Sequence, residues 1–138
     1  MNYSELTRRC FDNAGAAAGV LSGACVGRGT AGSRRHGTWV QFDIEVAPVP
    51  AAQSRIVAAR FLAFACPHTI AVAAWLAERS VGADCAAALP ESVQALARRF
   101  DVPVEKLGRL LIVEDAWVAA ATAATAAVAA AGMRVTIS

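Results

Sequence analysis

The sequence carries almost no net charge. The 13 Lys and Arg residues nearly balance the 11 Asp and Glu residues, the net charge is +2, and apart from Arg34 and Arg35 the arginines are scattered. Domains that bind nucleic acids carry a basic patch or stripe, so we expect no nucleic-acid partner. Charged residues make up 17% of the chain and hydrophobic residues 57%, which excludes a disordered chain and indicates a packed domain.

Paired cysteines are also absent. The four cysteines, Cys10, Cys25, Cys66 and Cys85, form no CxxC motif and have no obvious disulfide spacing. This pattern fits a reducing compartment. The amino terminus lacks the basic start and the apolar run of a signal peptide, so we expect a cytoplasmic location.

One uncharged run, 116–133, is long enough for a membrane span. It consists mostly of Ala and Thr, which gain little from lipid, and Ala is the best former of ordinary soluble helices. We therefore predict a helix of a soluble protein and no membrane partner. The length of 138 residues predicts a single domain over 1–138 that can bury its own core, with a short tail over 133–138.

The spacing of apolar residues predicts helices and strands in a segregated order. Helical spacing indicates a helix over 2–13, whereas recurring glycine with few large side chains indicates a mobile loop over 14–35. Segments 36–46 and 55–65 alternate apolar and polar residues and predict an antiparallel hairpin. The residues expected on its inner face are Val40, Phe42, Ile44 and Val46 of the first strand and Val57, Ala59, Phe61 and Ala63 of the second.

Only helices are predicted after the hairpin. The first begins at Pro67 and continues to Gly82, another follows Pro90, and the last runs from Pro103 to Gly132. A helix, then strands, then helices indicate an α+β domain, in which helices cover one face of a small antiparallel sheet.

Segment 59–71 is the most informative, because a β-rich run ends there in Cys66 just before the start of a helix. The unpaired amides and the partial positive charge of a helix start favour thiolate over thiol. A thiolate binds a metal or carries sulfur, so Cys66 is the leading candidate for function. The other cysteines are interpreted as packing residues, although Cys25 in the predicted mobile loop could reach the site.

The same segment resembles the second-cysteine segment of the IscU/NifU-type iron–sulfur cluster assembly scaffolds, where an Ala-Arg-Phe strand leads into a Gly-Cys turn and a helix with Ile-Ala. Tyr3-Ser4-Glu5, the glycine-rich loop, the alternating strand and Glu114-Asp115-Ala116 occur in the family's order, so the resemblance covers roughly residues 3 to 125. It implies an IscU-like fold and a binding scaffold rather than an enzyme. In the family, three cysteines, an aspartate and a histidine hold a nascent cluster or a zinc ion at one end of the sheet.

The resemblance assigns ligand positions to residues of this chain. The Cys-Gly-Asp turn of the family is matched by His36-Gly37-Thr38, and imidazole can bind iron or zinc or replace a cysteine at a cluster iron. The second family cysteine is Cys66, and His68 adds an imidazole two residues later. The predicted metal ligands are therefore Cys66, His36 and His68.

Two further family ligands are missing. Counting back from Glu114 puts Gly108 and Arg109 where the family has a histidine followed by its third cysteine. An arginine cannot bind a cation, but it can hold an anion such as a persulfide or a thiolate, so Arg109 is a predicted anion contact. The family's chaperone-recognition motif Leu-Pro-Pro-Val-Lys is only partly matched by 102–106, which makes recognition by an Hsp70-type chaperone doubtful.

Three functions remain open at this point. A scaffold would hold iron, zinc or a labile iron–sulfur cluster through the three predicted ligands and pass it to iron–sulfur acceptor proteins; a tetrahedral metal or a two-iron cluster needs four donors, so water, Cys25 or a second subunit would complete the set. A sulfur relay would use Cys66 alone to accept a persulfide from a cysteine desulfurase. An interaction module without chemistry would need only the fold.

Overall fold

The computed structural model describes residues 3–47, 55–86 and 88–137. In this part of the chain a three-stranded antiparallel sheet, in the order β1-β2-β3, is combined with four helices, which confirms the predicted α+β class. Two short 3-10 helices, Ala14–Ala16 and Val104–Lys106, join longer elements. The longer elements are α1 (Glu5–Asp12), β1 (Val26–Ser33), β2 (Thr38–Val46), β3 (Ile56–Phe64), α2 (Pro67–Ser80), α3 (Val93–Phe100) and α4 (Leu107–Ile137).

The amino-terminal helix is fixed at its first turn. The Ser4 hydroxyl oxygen caps α1 by accepting a hydrogen bond from the Thr7 amide at 3.1 Å. The hydroxyl of Thr7, which is fully buried, donates to the carbonyl oxygen of Phe100 at 2.8 Å. The start of α1 is thereby attached to the end of α3.

Strand β1 corrects the prediction of a mobile loop over 14–35, which is wrong for Val26–Ser33. This segment pairs with β2 along its whole length, with Gly27 opposite Ile44 and Gly29 opposite Phe42. A Cβ atom at Gly29 would collide with the backbone of Ala116 and Ala120, and one at Gly27 with that of Ala120 and Ala124. Helix α4 can therefore pack closely on the strand only because these two residues have no side chain.

The hydrophobic core lies between the sheet and the helices. Phe42 is fully buried on β2, and its ring meets that of Trp117 on α4 edge-on, with 5.0 Å between the ring centres. Helix α2 packs on β3, and α1 packs on α2. All four residues predicted for the inner face of β2 (Val40, Phe42, Ile44 and Val46) are fully buried.

On β3 the predicted inner face is only partly right. Ala59 and Phe61 are buried, but Val57 is 48% exposed and Ile56 is buried in its place. The cause is a β-bulge, because the pairing of β2 with β3 shifts between Glu45 and Val46. An extra residue on one strand reverses the faces of the residues beyond it.

The last helix is longer than predicted. Helix α4 continues to Ile137, so its predicted end at Gly132 is wrong. Val104–Ala131 is the one stretch of the described chain that is long and apolar enough for a membrane span. Helix α4 packs on β1 and β2, and Ala116, Ala120 and Ala124 of this helix are fully buried.

The other face of the sheet carries a buried carboxylate. Asp43 on β2 is 0% exposed, and it accepts two hydrogen bonds from the Arg28 guanidinium, at 2.8 and 2.9 Å. It also accepts one from the Leu21 amide at 2.8 Å. Burial acts to raise the pKa of Asp43, but these donors outweigh it and hold the pKa below its ordinary value. The carboxylate fixes the segment that leads into β1.

Candidate functional site

Cys66 lies where the sequence predicts, between the end of β3 and the start of α2. It is the N-cap residue of α2, its carbonyl oxygen accepts from the Ile70 amide at 3.0 Å, and Pro67 occupies the first turn. Proline suits that turn because it lacks an N–H group that would have no partner there. Cys66 is half-buried at one end of the sheet.

Several donors surround the sulfur of Cys66. Its Sγ atom lies 3.4 Å from the Thr69 hydroxyl oxygen. Burial acts to raise the pKa of the thiol, but the hydroxyl and amide of Thr69, the guanidinium of Arg109 and the charge of Lys106 outweigh it and lower the pKa. Burial raises the pKa of Cys10 and Cys85 instead. The site therefore stabilises a thiolate.

His68 faces the interior, although it lies only two residues from Cys66. It is 1% exposed, its ring meets the ring of Tyr3 edge-on at 4.6 Å, and its Nδ1 atom lies 3.0 Å from the Nζ atom of Lys106. Burial, followed by the charges of Lys106 and Arg109, lowers the pKa of His68 against the opposing effect of Asp101. The imidazole is thus neutral and accepts a hydrogen bond from the Lys106 ammonium.

Lys106 is a site residue that sequence reasoning missed. It is only 8% exposed, and its Nζ atom lies 5.7 Å from the centre of the Tyr3 ring. A buried lysine requires such partners, because an unpaired charge in the interior is costly. The signal that could have found it is its place in the segment 102–106, next to the missing family ligands.

His36 lies at the tip of the turn between β1 and β2. The turn is closed by a hydrogen bond from the His36 amide to the Ser33 carbonyl oxygen at 3.2 Å, and Gly37 provides the positive φ angle of 88°. Trp39 pairs with Phe64, so this turn and Cys66 are at the same end of the sheet. His36 itself is exposed.

A pocket of about 490 Å³ lies against this turn. His36 and Thr38 contribute from the turn, and Gly108, Arg109 and Ile112 contribute from α4. Arg109 also lowers the pKa of Cys66, so the same residue lines the pocket and favours the thiolate. His36 and the predicted anion contact Arg109 thus line the same pocket.

The three predicted metal ligands do not converge as a set. Within residues 3–47, 55–86 and 88–137, no group of three or more His, Cys, Asp or Glu side chains could hold a metal ion. His68 is engaged by Lys106, and the positive charges of Lys106 and Arg109 next to Cys66 oppose a cation.

Comparison with known proteins identifies the family. The family model of the NifU-like N-terminal domain matches residues 2–134, nearly the whole chain. The chain belongs to this family of iron–sulfur cluster assembly scaffolds. No curated protein gives a significant match.

A solved structure supports the fold of this NifU-like domain. A protein of the thermophile Fervidobacterium islandicum AW-1, designated an iron–sulfur cluster assembly scaffold for the SUF system, superposes with a TM-score of 0.58. The match covers 88% of this chain and 96% of that chain, at 13% sequence identity. At such low identity the match shows a shared fold, and the chemistry of the NifU-like site has to be argued from its own residues.

Proposed function

We propose that this NifU-like protein takes part in iron–sulfur cluster assembly by accepting sulfur on Cys66 from a cysteine desulfurase. The family and the fold support the pathway. The observation that supports the sulfur step is the environment of Cys66, where Thr69, Arg109 and Lys106 lower the pKa of the thiol and where the described residues form no set of three metal ligands. A single activated cysteine is sufficient for this reaction.

The transfer is a balanced exchange of sulfur. The Cys66 thiolate attacks the outer sulfur of a persulfide on the desulfurase, a new S–S bond forms at Cys66, and the desulfurase cysteine leaves as a thiolate. No electron is gained or lost overall. The product is a persulfide anion on Cys66, and the Arg109 guanidinium remains beside it as a counter-ion. The protein acts as a carrier in this step rather than as an enzyme.

A metal-holding scaffold is the second candidate. It rests on the family and on the position of His36 at the same end of the sheet as Cys66. Because the described residues form no set of three ligands, an iron ion, a zinc ion or a cluster would need donors from another molecule. Such a scaffold would pass its cluster to iron–sulfur acceptor proteins, and this step would not use an Hsp70-type chaperone. We propose that it acts in the cytoplasm.

The sulfur step is tested with a cysteine desulfurase and L-cysteine. Mass spectrometry of the intact protein should show the addition of one sulfur atom, and peptide mapping should place it on Cys66. Cys66→Ser should abolish this addition. Cys85→Ser is the matched control, because burial raises the pKa of Cys85, and it should retain full loading. Loading that survives in Cys66→Ser would show that another cysteine is the acceptor and overturn the proposal.

A further inference from the structure

The pocket against the turn between β1 and β2 carries opposite charges at neighbouring positions. Arg109 in the first turn of α4 and Glu105 in the preceding 3-10 helix both contribute to its lining. Within the described residues no ion pair joins them. A ligand with a negative and a positive group can therefore meet a partner for each.

Gly108 lies between these two charges and leaves the space open. A Cβ atom at this position would have no heavy atom within 4 Å. Thr38 and His36 are the further polar residues of the lining that belong to the turn region, and Ile112 is an apolar one. A volume of about 490 Å³ is within the usual range of small-molecule sites and exceeds what a single amino acid fills.

The charges define the chemical class of the ligand. A carboxylate suits the guanidinium of Arg109, and an ammonium suits the carboxylate of Glu105, so an α-amino-acid headgroup matches both. Because Trp39 pairs with Phe64, the pocket residue Thr38 lies at the same end of the sheet as Cys66, so a ligand held by Arg109 has its remaining side chain at the end where that sulfur lies. The side chain that can react with a persulfide there is a thiol.

We propose that this pocket binds a low-molecular-weight thiol with an α-amino-acid headgroup, which removes the sulfur carried by Cys66. The removal step rests on the proposed sulfur loading of Cys66. The thiolate of the ligand attacks the outer sulfur of the Cys66 persulfide, the S–S bond to Cys66 breaks, and Cys66 leaves as a thiolate. The proton of the ligand thiol goes to solvent, the product is the persulfide of the small thiol, and no oxidant or reductant is required.

Binding is tested without sulfur chemistry by NMR titration with S-methylcysteine, a thioether that cannot take part in the exchange. Amide signals of 32–38 and 105–112 should shift and saturate. Gly108→Leu should weaken binding about tenfold or more by filling the pocket, whereas Gly108→Ala, the matched control, should bind nearly as well. Absence of saturable shifts in these segments, or equal binding by Gly108→Leu and Gly108→Ala, would overturn the pocket assignment.

Two probes distinguish the source of the headgroup. S-methylcysteine represents free cysteine, and S-methylglutathione represents a γ-glutamyl peptide thiol. Tighter binding of either probe identifies its source, whereas saturable binding of 3-(methylthio)propionate, which lacks the ammonium, with equal affinity would overturn the role of Glu105. Glu105→Gln should weaken binding of the amino-acid probes roughly threefold.

Transfer is tested on protein whose Cys66 has been loaded with sulfur by polysulfide. Addition of cysteine should remove one sulfur atom from the protein and give cysteine persulfide, trapped by alkylation. Glu105→Gln should slow this reaction roughly threefold and leave the reaction with 3-mercaptopropionate unchanged. Equal slowing of both thiols, or release of sulfide with a mixed disulfide on Cys66, would overturn the transfer. Failure of Cys66 to take up any sulfur would refute the proposed function and this transfer, and the S-methylcysteine titration would still decide the binding site.

Discussion

At the scale of single residues, Cys66 and His68 show what the sequence could and could not predict. The sequence predicts that a helix starts directly after Cys66, and α2 does begin at Pro67. The burial of His68 could not be predicted, because its partners Tyr3 and Lys106 come from distant parts of the chain. Arg109 was a predicted anion contact only through the family resemblance, because local spacing does not reveal what the start of α4 packs against.

The missing family ligands can be restored in this structure. Gly108→His with Arg109→Cys adds two donors beside the pocket and removes one of the two positive charges that lower the Cys66 pKa, and the space at Gly108 is open. The double variant should therefore retain iron or zinc through desalting better than the natural protein does, as measured by elemental analysis after anaerobic loading.

Arg109→Gln is the control for this double variant, because it removes the charge without adding a sulfur donor. It should gain little metal. A natural protein that already holds stoichiometric metal after desalting, with no gain in the double variant, would contradict the placement of the site.

At the scale of elements, strand β1 is the main feature that the sequence concealed. Gly27 and Gly29 are typical of loops when only neighbouring residues are considered. Their reason is tertiary, because they allow the backbone of α4 to approach the strand. Strand β2 was predictable because its alternation depends on local spacing alone, whereas Val57 was misplaced by a bulge that no local pattern reveals.

Gly29→Ala tests the contact between β1 and α4. The added methyl group collides with the backbone of Ala116 and Ala120, which cannot move aside as a flexible side chain could. We expect the free energy of unfolding, measured by urea denaturation, to fall by about 2 kcal/mol or more. Gly15→Ala is the matched control, since nothing lies within 4 Å of its Cβ position, and its effect should stay within about 0.5 kcal/mol. Equal stability of the two variants would refute the close approach.

At the scale of the whole molecule, the His68 cluster joins three distant segments. Tyr3 comes from the amino terminus, His68 from α2 and Lys106 from the segment before α4. The imidazole of His68 has to stay neutral to accept a hydrogen bond from the Lys106 ammonium. The pKa of His68 in the folded protein lies below its ordinary value. Folding of the molecule is therefore linked to the protonation of one imidazole.

This linkage predicts how stability depends on pH. The unfolded state binds a proton at His68 near its ordinary pKa of about 6.5, while the folded state resists it, so the free energy of unfolding should fall as the pH is lowered from 7.5 to 5, by at most about 1.4 kcal/mol per pH unit. His68→Gln, which keeps an acceptor for Lys106, should flatten this dependence in urea denaturation. His36→Gln should leave it unchanged. Equal slopes for all three proteins would show that His68 is not the titrating group.

The contact between β1 and α4 also restricts how this sequence can diverge. Gly27 and Gly29 leave no room for a side chain, and α4 presents its own backbone at Ala116, Ala120 and Ala124. A methyl group added to the strand would collide with the helix backbone, and only a shift of the whole helix would remove that collision. No single substitution on the helix produces such a shift. Single substitutions of Gly27 or Gly29 are therefore destabilising, whereas a side chain added at Gly108 meets open space. The residues that line the pocket can therefore be replaced more easily than those in the contact between β1 and α4.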